Sequence, residues 1–397
     1  MNRIIPRRRA HILPGEFRKA FWASKTNKDL IFSHVGLWEN TFARYIGSQF
    51  AVSTGSGRLG LEFILRALEL KLNDEVIIPA YTLKDLVGVI QSLGLVAVPA
   101  DIDSETFNIS LDSVEKRISS RTRVILATHL FGSPCEIIKI LQIARKKSIF
   151  VIEDCAHASG AVFQGRKVGS FGDASFFSFE TMKPINTYGG GMVVTNLQSL
   201  ADTVRSIASE FRADENVPKA KIASTFCETN FLPMLLAYPA LHLLASKRWN
   251  AYCSAIYWKF QKPAGRKTFS DFQASVGLEK LKSLDVRIQI RNKKAEVLKK
   301  CLIKSIRPQS IILGTLSSYY FFVVIVDSDA WKLRKLLLRR GIDAGVGAEI
   351  ADDCARLLGY NDCQNVRNVF EHAIQLPLYE NLSECDIRYM TQVLTAR

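Results

Sequence analysis

The chain has 397 residues, of which 48% are hydrophobic and 23% are charged. This length and composition allow a large buried core and exclude a disordered or fibrous protein. The formal net charge of +15 favours an anionic ligand, but no basic run is interleaved with aromatic residues and no nucleic-acid-binding motif is present, so we expect no nucleic acid partner.

Cysteine usage and the first residues of the chain indicate the compartment. The eight cysteines include no CxxC pair, which is typical of reduced thiols in a cytosolic protein and does not predict a zinc site. The basic N-terminal residues lack the apolar stretch of a secretory signal. We therefore expect a cytoplasmic protein without a metal.

Apolar strands and helices alternate through the first half of the chain. After a helix that ends at Gly47, strands are predicted at 50–52, 76–79, 95–99 and 124–129, with helices at 59–70 and 83–93 between them. Strands separated by helices of about ten residues or more are typical of parallel β-sheets. The fold class is therefore α/β, with a mostly parallel, doubly wound sheet.

The loop after the first strand is a candidate anion site. Residues 53–58, with the sequence STGSGR, join that strand directly to the next helix. Free backbone N–H groups at a helix N-terminus bind phosphate well. Ser56, Gly57 and Arg58 are therefore candidate phosphate ligands, and Arg58 could add a charge-assisted contact.

The stretch from 150 to 195 carries most of the chemical information. An apolar strand ends on the carboxylates Glu153 and Asp154, a second strand at 174–179 ends just before Lys183, and a triple glycine precedes a third strand at 192–195. Ligands of open parallel sheets bind at the carboxyl ends of the strands, so Asp154 and Lys183 should face the same crevice. Pyridoxal phosphate requires an aspartate at its ring nitrogen and a lysine at its aldehyde. One cofactor therefore accounts for both residues, and the alternative is an unrelated helix cap and a solvated lysine.

The same segments resemble a known family. VIEDCAHASGA, GRKVGSFGDASFFSFETMK and GGGMVVT look like the signature of the DegT/DnrJ/StrS-type sugar aminotransferases, and PAYT, VPADID and HLFG also resemble it. The resemblance implies PLP fold type I, with Lys183 bound to pyridoxal phosphate and Ser178 at the cofactor phosphate. It also implies a homodimer that transfers an amino group from an amino acid, such as glutamate, to a nucleotide-linked keto-deoxy-sugar. Enzymes of this kind serve polysaccharide or glycoconjugate precursor biosynthesis.

Several positions depart from the family pattern. Arg58 stands where a threonine is expected, and Leu83 stands where an aromatic residue usually stacks on the cofactor ring. Either Arg266 or Lys267 stands where an asparagine reaches the phosphate of the partner subunit. The stacking partner and the cross-subunit contact are therefore open.

Two further residues are candidate contacts of the cofactor ring. Tyr81 is the aromatic residue nearest to the expected stacking position. His157 lies three residues after Asp154, where the family often has glutamine or histidine. A plain core histidine is the alternative for His157.

The chain is expected to form two domains. Residues 1–265 are predicted to contain an N-terminal arm and the large cofactor-binding domain, with an apolar insertion near 200–265. Residues 266–397 are predicted to contain a long helix at 271–302 and a smaller α+β domain with a strand at 317–326. The apolar stretch 231–246 is too short to span a membrane, which needs about twenty residues. We expect it to be buried or at a subunit contact, and a peripheral membrane contact is the alternative.

Three other functions are compatible with parts of the sequence. A PLP-dependent sugar dehydratase of the same fold carries histidine in place of the lysine, and Lys183 argues against it. A catalytically silent PLP-fold regulatory or binding protein is an alternative that the departures at Arg58, Leu83 and Arg266 keep open. A nucleic-acid-binding protein is suggested only by the net charge.

Overall fold

A computed structural model describes residues 4–18, 34–211, 219–230 and 267–395. From His34 to Ser209 the elements are α1 (His34–Ile46), β1 (Phe50–Thr54), α2 (Gly57–Ala67), β2 (Glu75–Pro79), β3 (Tyr81–Thr82), α3 (Lys84–Ser92), β4 (Val96–Ala100), α4 (Leu111–Arg117), β5 (Thr122–Thr128), α5 (Ile137–Arg145), β6 (Phe150–Asp154), β7 (Val162–Phe163), β8 (Arg166–Lys167), β9 (Ala174–Ser178), β10 (Gly191–Thr195) and α6 (Gln198–Ser209).

The remaining elements begin with a helix in the region of the predicted insertion. They are α7 (Lys219–Asn230), α8 (Asp271–Leu281), α9 (Leu284–Lys300), β11 (Ile306–Pro308), β12 (Thr315–Leu316), β13 (Phe322–Val326), α10 (Ala330–Arg339), β14 (Gly345–Val346), β15 (Asp352–Asp353), α11 (Cys354–Leu357), α12 (Gln364–His372), β16 (Ala373–Leu376) and α13 (Glu384–Thr395).

The large sheet confirms the predicted fold class. Its seven strands lie in the order β1-β10-β9-β6-β5-β2-β4. Within it β9, β6, β5, β2 and β4 are parallel neighbours, whereas β10 runs antiparallel to both β1 and β9. Strands buried on both faces need apolar residues throughout, and the near-continuous apolar runs of β2, β5 and β6 meet that need. The sheet is thus mostly parallel, with one reversed strand beside the crevice.

Helices cover both faces of this sheet. One hydrophobic cluster joins the sheet to α1 and α5 through residues that include Trp38, Phe42 and Ile140. A second cluster on the other face joins it to α2, α3 and α6. Helix α1 ends at Ile46 and is followed, as predicted, by Gly47, whose φ of 85° is the left-handed conformation of a helix-terminating glycine.

A second, antiparallel sheet follows in the C-terminal part of the chain. Its four strands lie in the order β11-β13-β16-β14, and its core is formed with α10 and α13. Two short ladders outside this sheet link the C-terminal part of the chain to the first part: β15 pairs with β3, and β12 pairs with β7. This arrangement places the segment before β13 over the crevice of the large sheet.

Two sequence-based predictions of element boundaries were wrong. The strand predicted at 317–326 begins only at Phe322, because Tyr319 has a φ of 45° and the Ser317 and Ser318 hydroxyls donate to the carbonyls of Gly132 and His157. The helix predicted at 271–302 is two helices, with a break at residues 282–283, where the Ser283 hydroxyl donates to a carbonyl of the preceding helix at 3.3 Å.

Two predictions concern residues outside the described ranges. The apolar stretch 231–246 and Arg266 both lie there. Among the helices that the structure describes, none is long and apolar enough to cross a membrane.

Candidate active site

The crevice lies where β6 and β9 end side by side, with Asp154 of β6 paired with Phe176 of β9. Asp154 is the last residue of β6, and Lys183 lies in the loop that leaves β9. The Lys183 ammonium favours the charged form of Asp154 electrostatically. The structure therefore brings the two predicted residues to one edge of the sheet.

Asp154 is buried, with 5% of its surface exposed, but its carboxylate is sparsely bonded. One oxygen accepts the N–H of Ala156 at 2.9 Å, and the other accepts the Thr128 hydroxyl at a long 3.4 Å. Burial raises the pKa of Asp154 although the Ala156 N–H and the Lys183 charge oppose it. A cationic hydrogen-bond donor would therefore stabilise the charged form of this buried carboxylate.

Two aromatic rings form one wall beside Lys183. Its Nζ lies 4.5 Å from the centroid of the Tyr320 ring, and Tyr320 stacks on the His157 ring at 4.4 Å. His157 Nδ1 accepts the N–H of Phe131 at 3.4 Å. Burial, with the Lys183 charge adding to it, holds the pKa of His157 well below its usual value. His157 is therefore a neutral ring at neutral pH, and it lies close enough to Lys183 for the ammonium charge to affect its pKa.

The first turn of α2 forms a cradle against β9 and β10. Ser56 caps the helix, its hydroxyl accepting the N–H of Leu59 at 3.2 Å. A Cβ on Gly57 would lie 3.1 Å from Ser178 Cβ, and a Cβ on Gly191 would lie only 2.6 Å from Gly57 N. The glycines thus allow the backbone of the loop to approach Ser178 closely, at the end of a helix that attracts anions.

Arg58 follows Gly57 at the start of α2, but its side chain pairs with an acidic residue of α3. Its guanidinium pairs with Asp85 at 2.5 Å, and 42% of its side chain is exposed. The pair lines an open groove with Lys84, Gln91 and other residues of α3. A phosphate contact by Arg58 would require it to leave or share Asp85.

The remaining candidates lie at the rim or in the core. Tyr81 is fully buried beside Phe131, with ring centroids 5.9 Å apart, and within the described part of the chain its hydroxyl has no hydrogen-bond partner. Leu83 is 37% exposed. The carbonyl oxygen of Lys267 lies 1.9 Å from the position that a Cβ on Gly55 would take, so Lys267 borders the phosphate cradle within its own chain.

Sequence reasoning missed two residues of the site. Tyr320 lies within the predicted strand at 317–326, and only the irregular turn at 317–321 directs its ring to Lys183. Thr128 ends the strand next to β6, and its hydroxyl reaches Asp154. Strand adjacency could have indicated Thr128, since carboxyl ends of parallel neighbours meet, but no pattern in the sequence indicates Tyr320.

The arrangement fits pyridoxal phosphate. A sparsely bonded buried carboxylate suits the ring nitrogen, a lysine at the crevice suits the aldehyde, and a glycine-lined helix N-terminus beside Ser178 suits the phosphate. The fold and the site together define a PLP-dependent aminotransferase of fold type I. The chain belongs to the DegT/DnrJ/EryC1/StrS aminotransferase family, which it matches over residues 19–395.

Known relatives agree with this membership. The chain is 26% identical over 366 residues to a GDP-perosamine synthase of Vibrio cholerae, covering 91% of this chain and 82% of that protein. It is 39% identical over 166 residues to the dTDP-3-amino-3,6-dideoxy-alpha-D-galactopyranose transaminase of Aneurinibacillus thermoaerophilus, covering 42% of this chain and 46% of that protein.

A solved structure shows the same fold. Helicobacter pylori PseC, an aminotransferase involved in the biosynthesis of pseudoaminic acid, superposes with a TM-score of 0.79 at 20% identity. The match covers 99% of this chain and 98% of that one. The predicted family, fold and cofactor are thereby confirmed, whereas the individual site residues stay predictions.

Proposed function

We propose that this chain transfers an amino group from an amino acid, with glutamate as the first candidate, to a keto-deoxy-sugar linked to a nucleoside diphosphate. The observation that carries the proposal is a buried, sparsely bonded Asp154 at the same edge of the sheet as Lys183, in a chain of this aminotransferase family. The product would be an amino-sugar precursor of a polysaccharide or glycoconjugate.

Bound pyridoxal phosphate supplies an electron sink and carries the amino group between the two half-reactions. Lys183 would hold the cofactor and move a proton to and from the carbon atoms that react. Asp154 would keep the ring nitrogen protonated, and its burial strengthens that interaction. His157, neutral because of its lowered pKa, and Tyr81 are the proposed contacts of the ring.

Four residues are proposed at the cofactor phosphate. Ser56 and Gly57 at the start of α2 lie beside Ser178 at the end of β9, which supports a shared anion site. Arg58 would contribute by leaving Asp85 for the phosphate. The cost of this exchange is small, because an exposed ion pair contributes only up to about 1 kcal/mol.

The nature of the acceptor rests on the relatives and on charge. The two relatives act on sugars named with GDP and dTDP. A net charge of +15 raises the local concentration of an anionic substrate. Assays with a panel of nucleotide-linked keto-sugars would identify the nucleotide, the sugar and the carbon atom that is aminated.

The assembly and domain organisation are proposed on the same basis. We infer a cytoplasmic homodimer, in which the cross-subunit contact to the phosphate that an asparagine makes in the family is changed or absent. The separate cores of the large and small sheets support two domains. The proposed boundary at 265/266 is one of sequence only, since Phe269, Ala274 and Leu281 pack into the large-sheet core and Ile5 packs into the small-sheet core. Sedimentation equilibrium would test the dimer.

The test has two stages. Protein purified with pyridoxal phosphate should show a visible absorbance band, and borohydride should fix the cofactor to a peptide that contains Lys183. Glutamate should then convert the band to that of the pyridoxamine form, and a nucleotide-linked keto-sugar should restore it and yield an amino-sugar. Lys183→Ala should abolish both conversions, whereas Lys282→Ala, at an exposed position, should leave them intact.

The possible failures separate the alternatives. A label on another lysine would make the site assignment wrong. Failure of every amino acid in the first half-reaction would favour the silent regulatory protein. Completion of the second half-reaction only by small keto-acids would place the enzyme in another substrate class.

A further inference from the structure

The loop that follows Lys183 is held by side chains of the helices behind it. Arg287 of α9 donates to the carbonyl of Pro184 at 2.7 Å. Gln273 of α8 donates to the carbonyl of Thr187 at 3.3 Å. Both contacts restrain backbone atoms within a few residues of Lys183.

Lys280 of α8 is the centre of this arrangement, and it is completely buried. Its Nζ contacts Glu16 Oε1 at 2.6 Å, Asn186 Oδ1 at 2.7 Å and the carbonyl of His11 at 3.0 Å. A lysine ammonium has three hydrogen-bond donors. All of them are therefore used, and each bond ends either on the Lys183 loop or on the N-terminal arm, residues 4–18.

The acceptors of Lys280 are themselves joined to each other. Asn186 donates to the carbonyl of His11 at 2.8 Å, and the Tyr188 hydroxyl donates to Glu16 Oε1 at 2.7 Å. The second oxygen of Glu16 accepts the N–H of Leu13 at 2.6 Å. The loop at 183–190, the arm and α8 thus form one closed hydrogen-bonded network.

Burying an ion pair costs free energy, because both charged groups lose their hydration. Burial lowers the pKa of Lys280 to about 8 although Glu16 opposes the shift. An apolar pair of similar volume is often as stable as a buried ion pair, or more so. An apolar pair, however, would not fix the direction of Asn186 or of Tyr188, because it makes no directional bonds. The network therefore determines the conformation of the loop more than it determines stability.

We propose that Lys280 is a positioning residue, which together with Glu16 and Asn186 fixes the 183–190 loop so that Lys183 is held in the crevice. The N-terminal arm is then part of the scaffold of the active site through Glu16 and the His11 carbonyl. The proposal rests on the proposed role of Lys183 as the cofactor lysine.

The first test uses Lys280→Met, which keeps the size of the side chain and removes its donors. Hydrogen–deuterium exchange is measured on the full chain, with and without pyridoxal phosphate. Exchange of the amides at 183–190 should rise by at least about tenfold in the cofactor-free variant, since several charged hydrogen bonds are lost. The dissociation constant of pyridoxal phosphate, measured by absorbance titration, should rise by a similar factor. Lys282→Met is the matched control, because this lysine is 70% exposed at the end of the same helix.

A double variant separates positioning from charge balance. Lys280→Met alone leaves Glu16 buried without its cationic partner, which lowers thermal stability. Adding Glu16→Gln removes that charge, and the melting temperature should recover. Exchange at 183–190 should stay high, because the bonds from Lys280 to Asn186 and to the His11 carbonyl are still missing.

The outcomes decide the proposal. If both the exchange at 183–190 and the melting temperature return to wild-type values in the double variant, Lys280 serves only to balance the charge of Glu16. That result would overturn the proposal. Raised exchange with unchanged cofactor affinity would also overturn it, since the loop would then not position Lys183. If Lys280→Met does not fold, Tyr188→Phe removes only the hydroxyl bond to Glu16, and unchanged exchange in that variant would count against the network. Failure of the proposed function itself is seen separately, in the borohydride labelling of the wild-type protein.

Discussion

Glu153 and Asp154 are consecutive carboxylates at the end of one strand, and both are buried. The region around Glu153 is saturated: its oxygens accept the N–H groups of Gly169, Phe171 and Gly172 at 2.7–2.8 Å and face His129 Nε2 at 2.9 Å. The region around Asp154 offers one good donor and one long contact.

The difference has a simple geometric origin. Successive side chains of a strand point to opposite faces of the sheet, so Glu153 meets the loop at 169–172 while Asp154 meets the crevice. Burial pushes the pKa of Glu153 up, but the bonds from His129, Gly172 and Gly169 outweigh it and hold the pKa below its usual value. The pKa of Asp154 is raised instead. Glu153 therefore stabilises the fold, whereas the carboxylate of Asp154 can still accept a hydrogen bond from a ligand.

The largest expected effect is the loss of turnover in Asp154→Asn. We expect kcat to fall by about two to three orders of magnitude, as when a preorganised electrostatic contact is removed. The stability of the cofactor-free protein should be unchanged or higher, because a sparsely bonded buried charge is lost. Steady-state kinetics and urea unfolding measure the two quantities, and full turnover in this variant would contradict the assigned role.

Glu153→Gln should show the opposite profile. The amide cannot accept from all of its present donors, so the free energy of unfolding should fall by about 3 kcal/mol. Activity per folded molecule should stay close to that of the wild type. A large loss of kcat at unchanged stability would show that Glu153, and not only Asp154, acts on the cofactor.

Acid should affect the two carboxylates in opposite senses. The lowered pKa of Glu153 means that its contribution is present above pH 4.5 and is lost as the pH falls through its folded pKa. The raised pKa of Asp154 means that its cost is present above the folded pKa and is relieved as the pH falls towards 3.8.

Urea midpoints of the cofactor-free proteins between about pH 7 and about pH 4 measure this difference. The decrease in acid should be smaller in Glu153→Gln than in the wild type, and larger in Asp154→Asn. If the urea midpoint changes equally with pH in all three proteins, the pKa values of Glu153 and Asp154 do not shift in opposite directions on folding.

Thr128→Val should have the smallest effect. Its hydroxyl contacts Asp154 only at 3.4 Å, so we expect a change of a few-fold in kcat and less than about 1 kcal/mol in stability. A loss as large as that of Asp154→Asn would show that the contact shortens when the site is loaded.

Much of the fold follows from local patterns. The strands at the centre of the large sheet and the helices between them agree with their predicted positions within a few residues, because they are strongly apolar with regular spacing. The predictions that were wrong, at 317–321 and at 282–283, depend on serine hydroxyls that reach carbonyl oxygens in other segments or the preceding turn. Such bonds have no periodicity that a sequence could show.

The sequence by itself determined the α/β class and the family, and it predicted that Lys183 and Asp154 face one crevice, because strand ends and loop motifs are encoded over short distances. Only the tertiary structure decided which of two adjacent carboxylates is saturated, that Tyr320 stacks on His157, and that Arg58 pairs with Asp85. The buried ion pair between Lys280 and Glu16 is likewise seen only in the tertiary structure. These contacts link residues far apart in the chain, and their partners are fixed by packing, which no local pattern encodes.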